Sequence, residues 1–187
     1  MNKVLKVLTF SDIFLFTGFG FIAPILAIFI KDNLIGGSIA AAGLASAIFL
    51  ITHAILQVIF AKVFNPKDRM WMLIAGTAIM VVVPFGYIFS TTVGHLYIIQ
   101  LLYGVGAGLQ YPSWYSLFAS HLEKGRRGLD WSIYSSGVGI GSAVAAYLGA
   151  VIATSLGFNA VFVLAGVLAV VGFIILFALE RKALKKT

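Results

Sequence analysis

The stretch VFNPKDRMW, residues 63–71, places a proline and three charged residues between two long apolar runs. Only 10% of the 187 residues are charged and 61% are hydrophobic, whereas soluble domains carry about a quarter charged residues. Too little polar surface is present to cover a globule in water, so lipid is the expected solvent. In that setting Pro66 ends a helix, and Lys67 and Arg69 mark a turn at the membrane surface. The chain is therefore predicted to be an all-α polytopic membrane protein.

Six apolar segments are long enough to cross a bilayer, which takes about 20 residues of helix. The connections between them are short, so the chain is predicted to be one transmembrane domain over residues 1–187. Lys3 and Lys6 precede the first segment as in a secretion signal. That segment exceeds signal-peptide length and further spans follow it, so it is interpreted as a retained helix. The predicted spans are residues 10–30, 40–64, 70–89, 96–118, 130–156 and 158–179.

The basic residues decide the predicted orientation. If the N-terminus is cytoplasmic, 12 of the 13 Lys and Arg residues lie inside and only Lys31 lies outside, as the positive-inside rule requires. Both termini are then cytoplasmic, and an alternative with five spans and a re-entrant segment would spoil this alternation. We expect an integral protein of a prokaryotic cytoplasmic (inner) membrane, surrounded by the lipid bilayer, with no nucleic-acid partner. The inside residues are Lys3, Lys6, Lys62, Lys67, Arg69, Lys124, Arg126, Arg127, Arg181, Lys182, Lys185 and Lys186.

Residues 61–73, AKVFNPKDRMWML, resemble the signature between helices 2 and 3 of the major facilitator superfamily, roughly G-x-L-A-D-R-x-G-R-[RK]-x-x-L. Arg69 falls on an arginine of that pattern. Ala61 replaces its first glycine, Asn65 replaces its aspartate, and Asp68 replaces its second glycine. The resemblance implies that Asn65, Asp68 and Arg69 form a cytoplasmic latch, whose ion pairs form in one conformation and break in the other.

Two further stretches extend the resemblance over essentially the whole chain. LYIIQLLYGVGAG, residues 96–108, is similar to the helix 4 pattern of the superfamily, with Gly104, Gly106 and Ala107 in register. Residues 126–162 follow the course of helices 5 and 6 in that family. What this implies is the N-terminal six-helix half of a transporter, which works by alternating access around a central site.

Complete transporters of the resembled family have two six-helix halves, so a parallel homodimer is expected to supply the second half. Small residues recur every four positions on predicted helix 5, and this spacing lets helix backbones approach closely. They form either the dimer interface or a contact with helix 1 or 4 of the same chain. A truncated chain is the other explanation for a single half. The small residues are Gly137, Gly141, Ala145 and Gly149.

Predicted helix 4 carries polar and aromatic side chains on one face. Gln100, Tyr103, Gln110 and Trp114 recur at helical spacing, with Tyr111 beside them. Polar side chains at bilayer depth usually face a cavity or the interior of the bundle. Helices 1 and 4 also line the cavity in the resembled family. The stripe is therefore predicted to bind substrate, and the alternative is hydrogen bonding between helices.

Other spans add candidates. His53 and Gln57 lie one turn apart on predicted helix 2, and both are candidate substrate residues. His53 is interpreted either as a packing residue or as a proton carrier. Asp12, near the start of the first span, is either a helix cap or a protonatable carboxylate that the cytoplasm can reach. Thr17 and Tyr134 complete the predicted polar lining.

The substrate prediction depends on two departures from the resembled family. Gln100 stands where helix 4 would carry an arginine that is often linked to proton coupling, and helix 5 lacks the antiporter proline near Ser142. Both departures argue against a drug–proton antiporter, and a pocket of Gln, Tyr, Trp and His with few charges suits a neutral polar solute such as a sugar. The first alternative is a proton-coupled exporter of drug-like or cationic compounds, and the second is a non-transporting half that assembles with another membrane chain. The sequence has no G-x-S-x-G elbow, P-loop or metal triad, so no enzyme, cofactor or metal site is expected.

Overall fold

The computed structural model describes residues 1–64 and 69–183, apart from the side chains of residue 69 and of residues 179–183. This part of the chain is helical, with one isolated β-bridge and no strand, which confirms the predicted all-α fold class. The helices in chain order are α1 (Lys3–Ile22), α2 (Leu26–Asn33), α3 (Ile39–Val63), α4 (Arg69–Ile88), α5 (Val93–Ser120), α6 (Arg127–Leu156) and α7 (Phe158–Ala183).

The first predicted span is divided between two helices. Asn2 caps α1, because its Oδ1 accepts a hydrogen bond from the Leu5 amide at 2.9 Å. α1 therefore begins well before residue 10, and its first turns are held by Leu5 and Leu8, both fully buried. α1 ends before Pro24, which has no backbone N–H to continue the helical hydrogen bonds, and the chain resumes in α2.

Five helices of the described part are long and apolar enough to cross a membrane: α1, α3, α4, α6 and α7. α5 has 28 residues, yet its mean hydropathy falls below that of these five because polar residues interrupt it. Gln100, Gln110 and Ser113 of α5 are nevertheless buried by the neighbouring helices. The count of six spans therefore stays a prediction, and α5 is the helix on which it depends.

The helices form two groups that join into one bundle. α5 packs between α3 and α4, and α1 packs between α6 and α7. Contacts between α4 and α7 connect the two groups. α1 and α5 approach each other at few positions, so side chains rather than backbones meet across the space between them. The candidate functional site lies in this space.

The small residues of α6 pack against α1 of the same chain. A Cβ atom at Gly149 would collide with the carbonyl oxygen of Phe21, and one at Gly137 would lie 2.7 Å from Ile13 Cδ1. Ala145 is fully buried in the same contact. Small residues allow this close approach between membrane helices. The sequence left open whether these small residues form a dimer interface or a contact within the chain. The structure shows the contact within the chain, so these residues are not a free dimer surface.

The two ends of the bundle differ in charge. We call the end that holds the N-terminus and the α5–α6 loop the basic end, where Asn2 Nδ2 donates to the His121 carbonyl at 3.0 Å. At the opposite end, the Ile35 amide donates to the Thr91 carbonyl at 3.0 Å and joins the α2–α3 and α4–α5 loops. Lys31 is the only Lys or Arg of the described part at that end. Which end faces the cytoplasm stays a prediction.

Candidate functional site

A buried carboxyl group joins three helices on the basic-end side of the space between α1 and α5. Asp12 of α1 is 3% exposed and accepts two hydrogen bonds. Gln110 Nε2 of α5 donates to Asp12 Oδ1 at 3.2 Å, and Tyr134 Oη of α6 donates to Asp12 Oδ2 at 3.1 Å. We call Asp12, Gln110 and Tyr134 the inner cluster. The sequence indicated each residue as a candidate but could not pair them, because they come from three distant helices.

The inner cluster has no cationic partner in the described part of the chain. Among the described side chains, no Lys, Arg or His lies within 4.0 Å of the Asp12 carboxylate. An ionised carboxylate inside a membrane is costly without a partner charge, whereas a protonated carboxyl group avoids that cost. Asp12 also does not cap α1, because it lies inside the helix and Asn2 occupies the cap position. This position excludes the capping alternative and favours a group that binds and releases a proton.

Aromatic rings from three helices meet in the middle of the space. Phe19 of α1 stacks on Tyr103 of α5, with ring centroids 4.6 Å apart and an interplanar angle of 4°. Phe49 of α3 also stacks on Tyr103, at 4.1 Å and 18°. We call these three rings the aromatic stack. It divides the space into a part toward the basic end and a part toward the opposite end.

On the basic-end side, the rings continue through His53. Its ring centroid lies 5.9 Å from that of Phe49 and 4.7 Å from that of Tyr111. His53 Nε2 is buried and has no hydrogen-bond partner among the described residues. Gln57, one turn further along α3, is partly buried opposite Gly108 of α5. His53 and Gln57 therefore lie on the same surface as the α5 stripe.

Trp114 adjoins the inner cluster. Its ring centroid lies 4.4 Å from that of Tyr134 and 4.6 Å from that of Phe118, on which it stacks. Trp114 Nε1 is buried without a hydrogen-bond partner in the described part of the chain. Trp114 thus packs against Tyr134 of the inner cluster.

A cavity of about 340 Å³ lies on the other side of the aromatic stack. At its polar wall, Tyr87 Oη of α4 donates to Gln100 Oε1 of α5 at 3.4 Å, and both side chains are almost fully buried. The aromatic stack forms a second wall, and apolar side chains such as Ile22, Leu26 and Leu50 form the rest. We call this cavity the outer pocket. The predicted stripe on α5 therefore borders two separate sites. Gln110 belongs to the inner cluster, and Gln100 lines the outer pocket.

One predicted residue lies outside this surface. A Cβ atom at Gly141 would collide with Thr17 Oγ1, so Thr17 belongs to the α1–α6 contact rather than to the space between α1 and α5. Three residues that line the outer pocket were not predicted from the sequence, namely Phe19, Phe49 and Tyr87. In an apolar helix, no sequence pattern distinguishes an aromatic residue that lines a cavity from one that faces lipid.

The predicted latch falls outside the described residues. Asn65 and Asp68 belong to the segment that the structure does not describe. Arg69 begins α4, but its side chain is likewise outside the description. The latch therefore stays a prediction from the sequence motif.

Comparison with known proteins decides the family. The family model described as Major Facilitator Superfamily matches residues 8–187. The chain belongs to the major facilitator superfamily. This result confirms the resemblance in the sequence motifs. It also identifies an integral membrane protein and supports the prediction of a membrane transport protein over an enzyme.

Several relatives match most of this chain. It is 27% identical over 164 residues to the multi-drug resistance efflux pump PmrA of Streptococcus pneumoniae, covering 87% of this chain and 41% of that protein. It is 25% identical over 191 residues to the quinolone resistance protein NorA of Staphylococcus aureus, covering 100% of this chain and 47% of that protein. The uncharacterized MFS-type transporter MJ1560 of Methanocaldococcus jannaschii is 25% identical over 172 residues, covering 92% and 43% respectively. The chain thus spans less than half the length of these relatives.

A solved structure has a similar fold. The POT family transporter PepTSo superimposes with a TM-score of 0.78, covering 97% of this chain and 38% of that chain. The sequence identity is 19%, so the likeness concerns the fold alone. The helix arrangement described above therefore also occurs inside a longer transporter.

Proposed function

We propose that this member of the major facilitator superfamily is a secondary transporter that exports drug-like, amphipathic compounds in exchange for protons. The inner cluster carries the proposal, because Asp12 has two neutral donors and no cation among the described residues. Protonation of Asp12 would remove its charge and weaken both hydrogen bonds, since bonds to ionised groups are the stronger ones. The donors belong to α5 and α6, so proton binding would bias the relative positions of three helices.

The substrate class is inferred from the rings beside the inner cluster. The ring centroids of Phe16 and Tyr111 lie 6.0 Å apart across α1 and α5, and His53 and Phe49 extend the ring surface on α3. Apolar, ring-lined surface with few polar groups suits flat amphipathic compounds, and ring faces also attract organic cations. PmrA and NorA are named as multi-drug and quinolone resistance proteins, which supports the same class. His53 is the second proposed proton site.

The proposal includes a parallel homodimer in the inner membrane. The relatives are more than twice as long as the part that this chain covers, so a second copy would supply the other half. α3 exposes large apolar side chains, among them Leu44, Ile51 and Ile55, and is much less covered than α1 or α7. A two-fold axis along the membrane normal would bury them and place two inner clusters across the axis. During alternating access the two copies would rock against each other. The predicted latch of Asn65, Asp68 and Arg69 would favour one of the two conformations.

A second candidate is transport of a neutral polar solute such as a sugar. Two buried amides on α5 favour it, because glutamine side chains both donate to and accept from hydroxyl groups. In this structure, however, Gln110 is engaged by Asp12, and Gln100 Oε1 is engaged by Tyr87. Fewer amide groups are free to bind a sugar than the sequence suggests. Export of drug-like, amphipathic compounds is therefore the first candidate.

The test uses the purified chain in liposomes with an imposed proton gradient. Ethidium serves as the drug-like cation and radiolabelled glucose as the sugar. We expect gradient-driven ethidium transport that falls roughly tenfold in Asp12→Asn, a size of effect within the range for coupled sites. Asp12→Asn keeps the side-chain shape but cannot bind the proton. Asp32→Asn is the matched control, because Asp32 is exposed near the opposite end and should transport as the parent does.

Each other outcome has a separate meaning. Glucose uptake without ethidium transport would replace the first candidate with the second. Transport of neither compound by a folded dimer would favour a non-transporting half that assembles with another membrane chain. Full gradient-driven ethidium transport by Asp12→Asn would exclude Asp12 as the proton site and leave His53 to be tested.

A further inference from the structure

Each helix of the inner cluster carries a second buried polar residue, one turn nearer the basic end. On α1 it is Thr9, three residues before the carboxylate of the inner cluster, and on α6 it is Asp130, four residues before the tyrosine. On α5, which runs toward the basic end, it is Trp114, four residues after the glutamine. Residues at these spacings share one helix face. We call Thr9, Asp130 and Trp114 the relay layer, which lies between the inner cluster and the basic end.

The polar atoms of the relay layer are buried and unpaired. In the described part of the chain, the Thr9 hydroxyl, Trp114 Nε1 and both carboxylate oxygens of Asp130 have no hydrogen-bond partner. A buried polar group without a partner is unfavourable, and ordered water supplies the partner where no side chain does. Three unpaired groups on three neighbouring helices are enough to hold such water, because a buried water molecule makes about three hydrogen bonds.

We infer that the relay layer carries protons between Asp12 and the basic end, and that Asp130 is the carboxylate that receives them. This inference rests on the proposed function only in taking Asp12 as a group that binds and releases a proton. The O–H bond of protonated Asp12 breaks as its proton passes to a hydrogen-bonded water molecule. That water gives another of its protons to Asp130, on which a new O–H bond forms. The negative charge moves from Asp130 to Asp12, and the water is regenerated.

The spacing of the two layers suits transfer through single water molecules. Tyr134 donates to Asp12 Oδ2 at 3.1 Å, so side chains of α1 and α6 meet at this level. Thr9 and Asp130 lie one turn nearer the basic end, and residues one turn apart on a helix have Cβ atoms about 5–6 Å apart. Two hydrogen bonds of about 2.8 Å through one water molecule span that distance.

The charged groups around Asp130 compensate its negative charge. The Met1 ammonium lies 3.5 Å from Asp130 Oδ1, and among the described side chains no other cation lies within 4.0 Å. A partner charge lowers the cost of burying a carboxylate. His121 Nδ1, the nearest titratable group at the end of α5, contacts a carbonyl of its own helix. The remaining described charged side chains of α1, the α5–α6 loop and α6, apart from Asp12, are exposed: Lys3, Lys6, Glu123, Lys124, Arg126 and Arg127.

The experiment follows the Asp12 carboxyl group by infrared spectroscopy of the 187-residue chain in liposomes. The C=O band of protonated Asp12, identified by its loss in Asp12→Asn, shifts when deuterium replaces the proton. A rapid change from ordinary to heavy water therefore measures how fast Asp12 exchanges its proton with the buffer. Asp130→Asn should slow this exchange about tenfold, because an amide cannot take up the proton, and this is a modest effect for a positioned proton-transfer group.

A purely structural role of Asp130 would give a different result. If the substitution only disturbed packing, the Asp12 band would move before any exchange, since Gln110 and Tyr134 would no longer donate to Asp12 in the same geometry. We expect an unchanged band position together with slower exchange. Glu123→Gln is the matched control, because Glu123 is an exposed acid at the same end, and it should exchange as the parent does.

A second variant keeps the test valid if the loss of the Asp130 charge disturbs the fold. Thr9→Val removes one hydroxyl of the relay layer but keeps the side-chain shape and the ion pair between Asp130 and Met1. It should slow the exchange about threefold, the effect of losing one hydrogen bond. Thr154→Val is its control, because Thr154 is exposed near the opposite end of α6 and bonds only to carbonyls of its own helix. It should leave the rate unchanged.

Two results would overturn the inference. One is an equal exchange rate in the parent, Asp130→Asn and Thr9→Val. The other is faster exchange in Asp130→Asn with no change in Thr9→Val, because Asp130 would then close the basic end through its pair with Met1 rather than carry the proton. The exchange needs neither a gradient nor a transported compound. Slower exchange in both variants without ethidium transport would therefore overturn the proposed export alone, and unchanged exchange with gradient-driven ethidium transport would overturn the relay alone.

Discussion

The two faces of α1 differ in what they place against their neighbours. On one face, Gly18 and Gly20 lie against α7 and α6, and a Cβ atom at Gly18 would lie 2.7 Å from the carbonyl oxygen of Ala165. On the other face, Asp12 and Phe19 contact side chains of α6 and α5. The first face has no room for another atom, whereas the second borders a cavity and buried polar groups.

This difference indicates that the two faces have separate roles. Backbone contact across glycine makes a rigid unit of α1, α6 and α7, because close-packed groups resist relative displacement. Side chains that meet across a wider space can change rotamer, so the face toward α5 can adapt to a ligand or a proton. Substitutions on the first face should therefore change stability, and substitutions on the second should mainly change the response to ligands.

The largest effect on stability is expected at Gly149, in the contact between α6 and α1. Gly149→Ala would press a Cβ atom into the carbonyl oxygen of Phe21, which neither helix can move easily. The free energy of unfolding should fall by about 3 kcal/mol, at the upper end of typical overpacking costs. Unfolding in detergent by added SDS, followed by circular dichroism, measures this change.

Gly139→Ala on the same helix is the control. No heavy atom lies within 4 Å of the Cβ position at Gly139. This change should be neutral, or should stabilise by up to about 1 kcal/mol because alanine favours the helix. If Gly149→Ala dissociated a dimer without lowering the stability of the single chain, the row of small residues would be a dimer surface after all.

The close contact between α6 and α1 could be predicted only in part from the sequence. Gly137, Gly141, Ala145 and Gly149 recur every four positions, and this spacing predicts contact with some helix. It does not predict which helix, since α1, α5 and a second copy all offer apolar surface. The choice of α1 depends on matching small residues there, such as Gly20, and that match is visible only in three dimensions.

The polar residues of α5 could be predicted from the sequence, but their hydrogen-bond partners could not. The spacing of Gln100 and Gln110 on α5 predicts one inward surface. Their partners could not be predicted, because Asp12 and Tyr87 belong to helices whose rotation is set by packing rather than by an amphipathic pattern. The turns at the start of α1 were missed for a related reason. Lysines next to Leu5 make that segment look too polar, although Leu5 is fully buried.

An intermediate effect is expected at Tyr103, in the aromatic stack. Tyr103→Leu removes two stacked ring pairs while keeping an apolar side chain, and should lower the free energy of unfolding by about 1.5 kcal/mol. Tyr147→Leu is the control and should leave the free energy of unfolding unchanged, because Tyr147 is 73% exposed. A loss of stability as large as that of Gly149→Ala would mean that this face is no more adaptable than the packed one.

The smallest effect is expected at Ser11, whose Oγ donates to the Gly172 carbonyl at 2.8 Å where α1 meets α7. Ser11→Ala should lower the free energy of unfolding by about 0.6 kcal/mol, the average for hydrogen bonds between membrane helices. Ser132→Ala on the exposed surface of α6 controls for the change of residue type. A loss several times larger would show that this hydrogen bond, rather than backbone contact across glycine, holds α1 to α7. The two faces of α1 would then differ in having polar contacts on one and aromatic contacts on the other. Gly18→Ala would lower the free energy of unfolding only slightly.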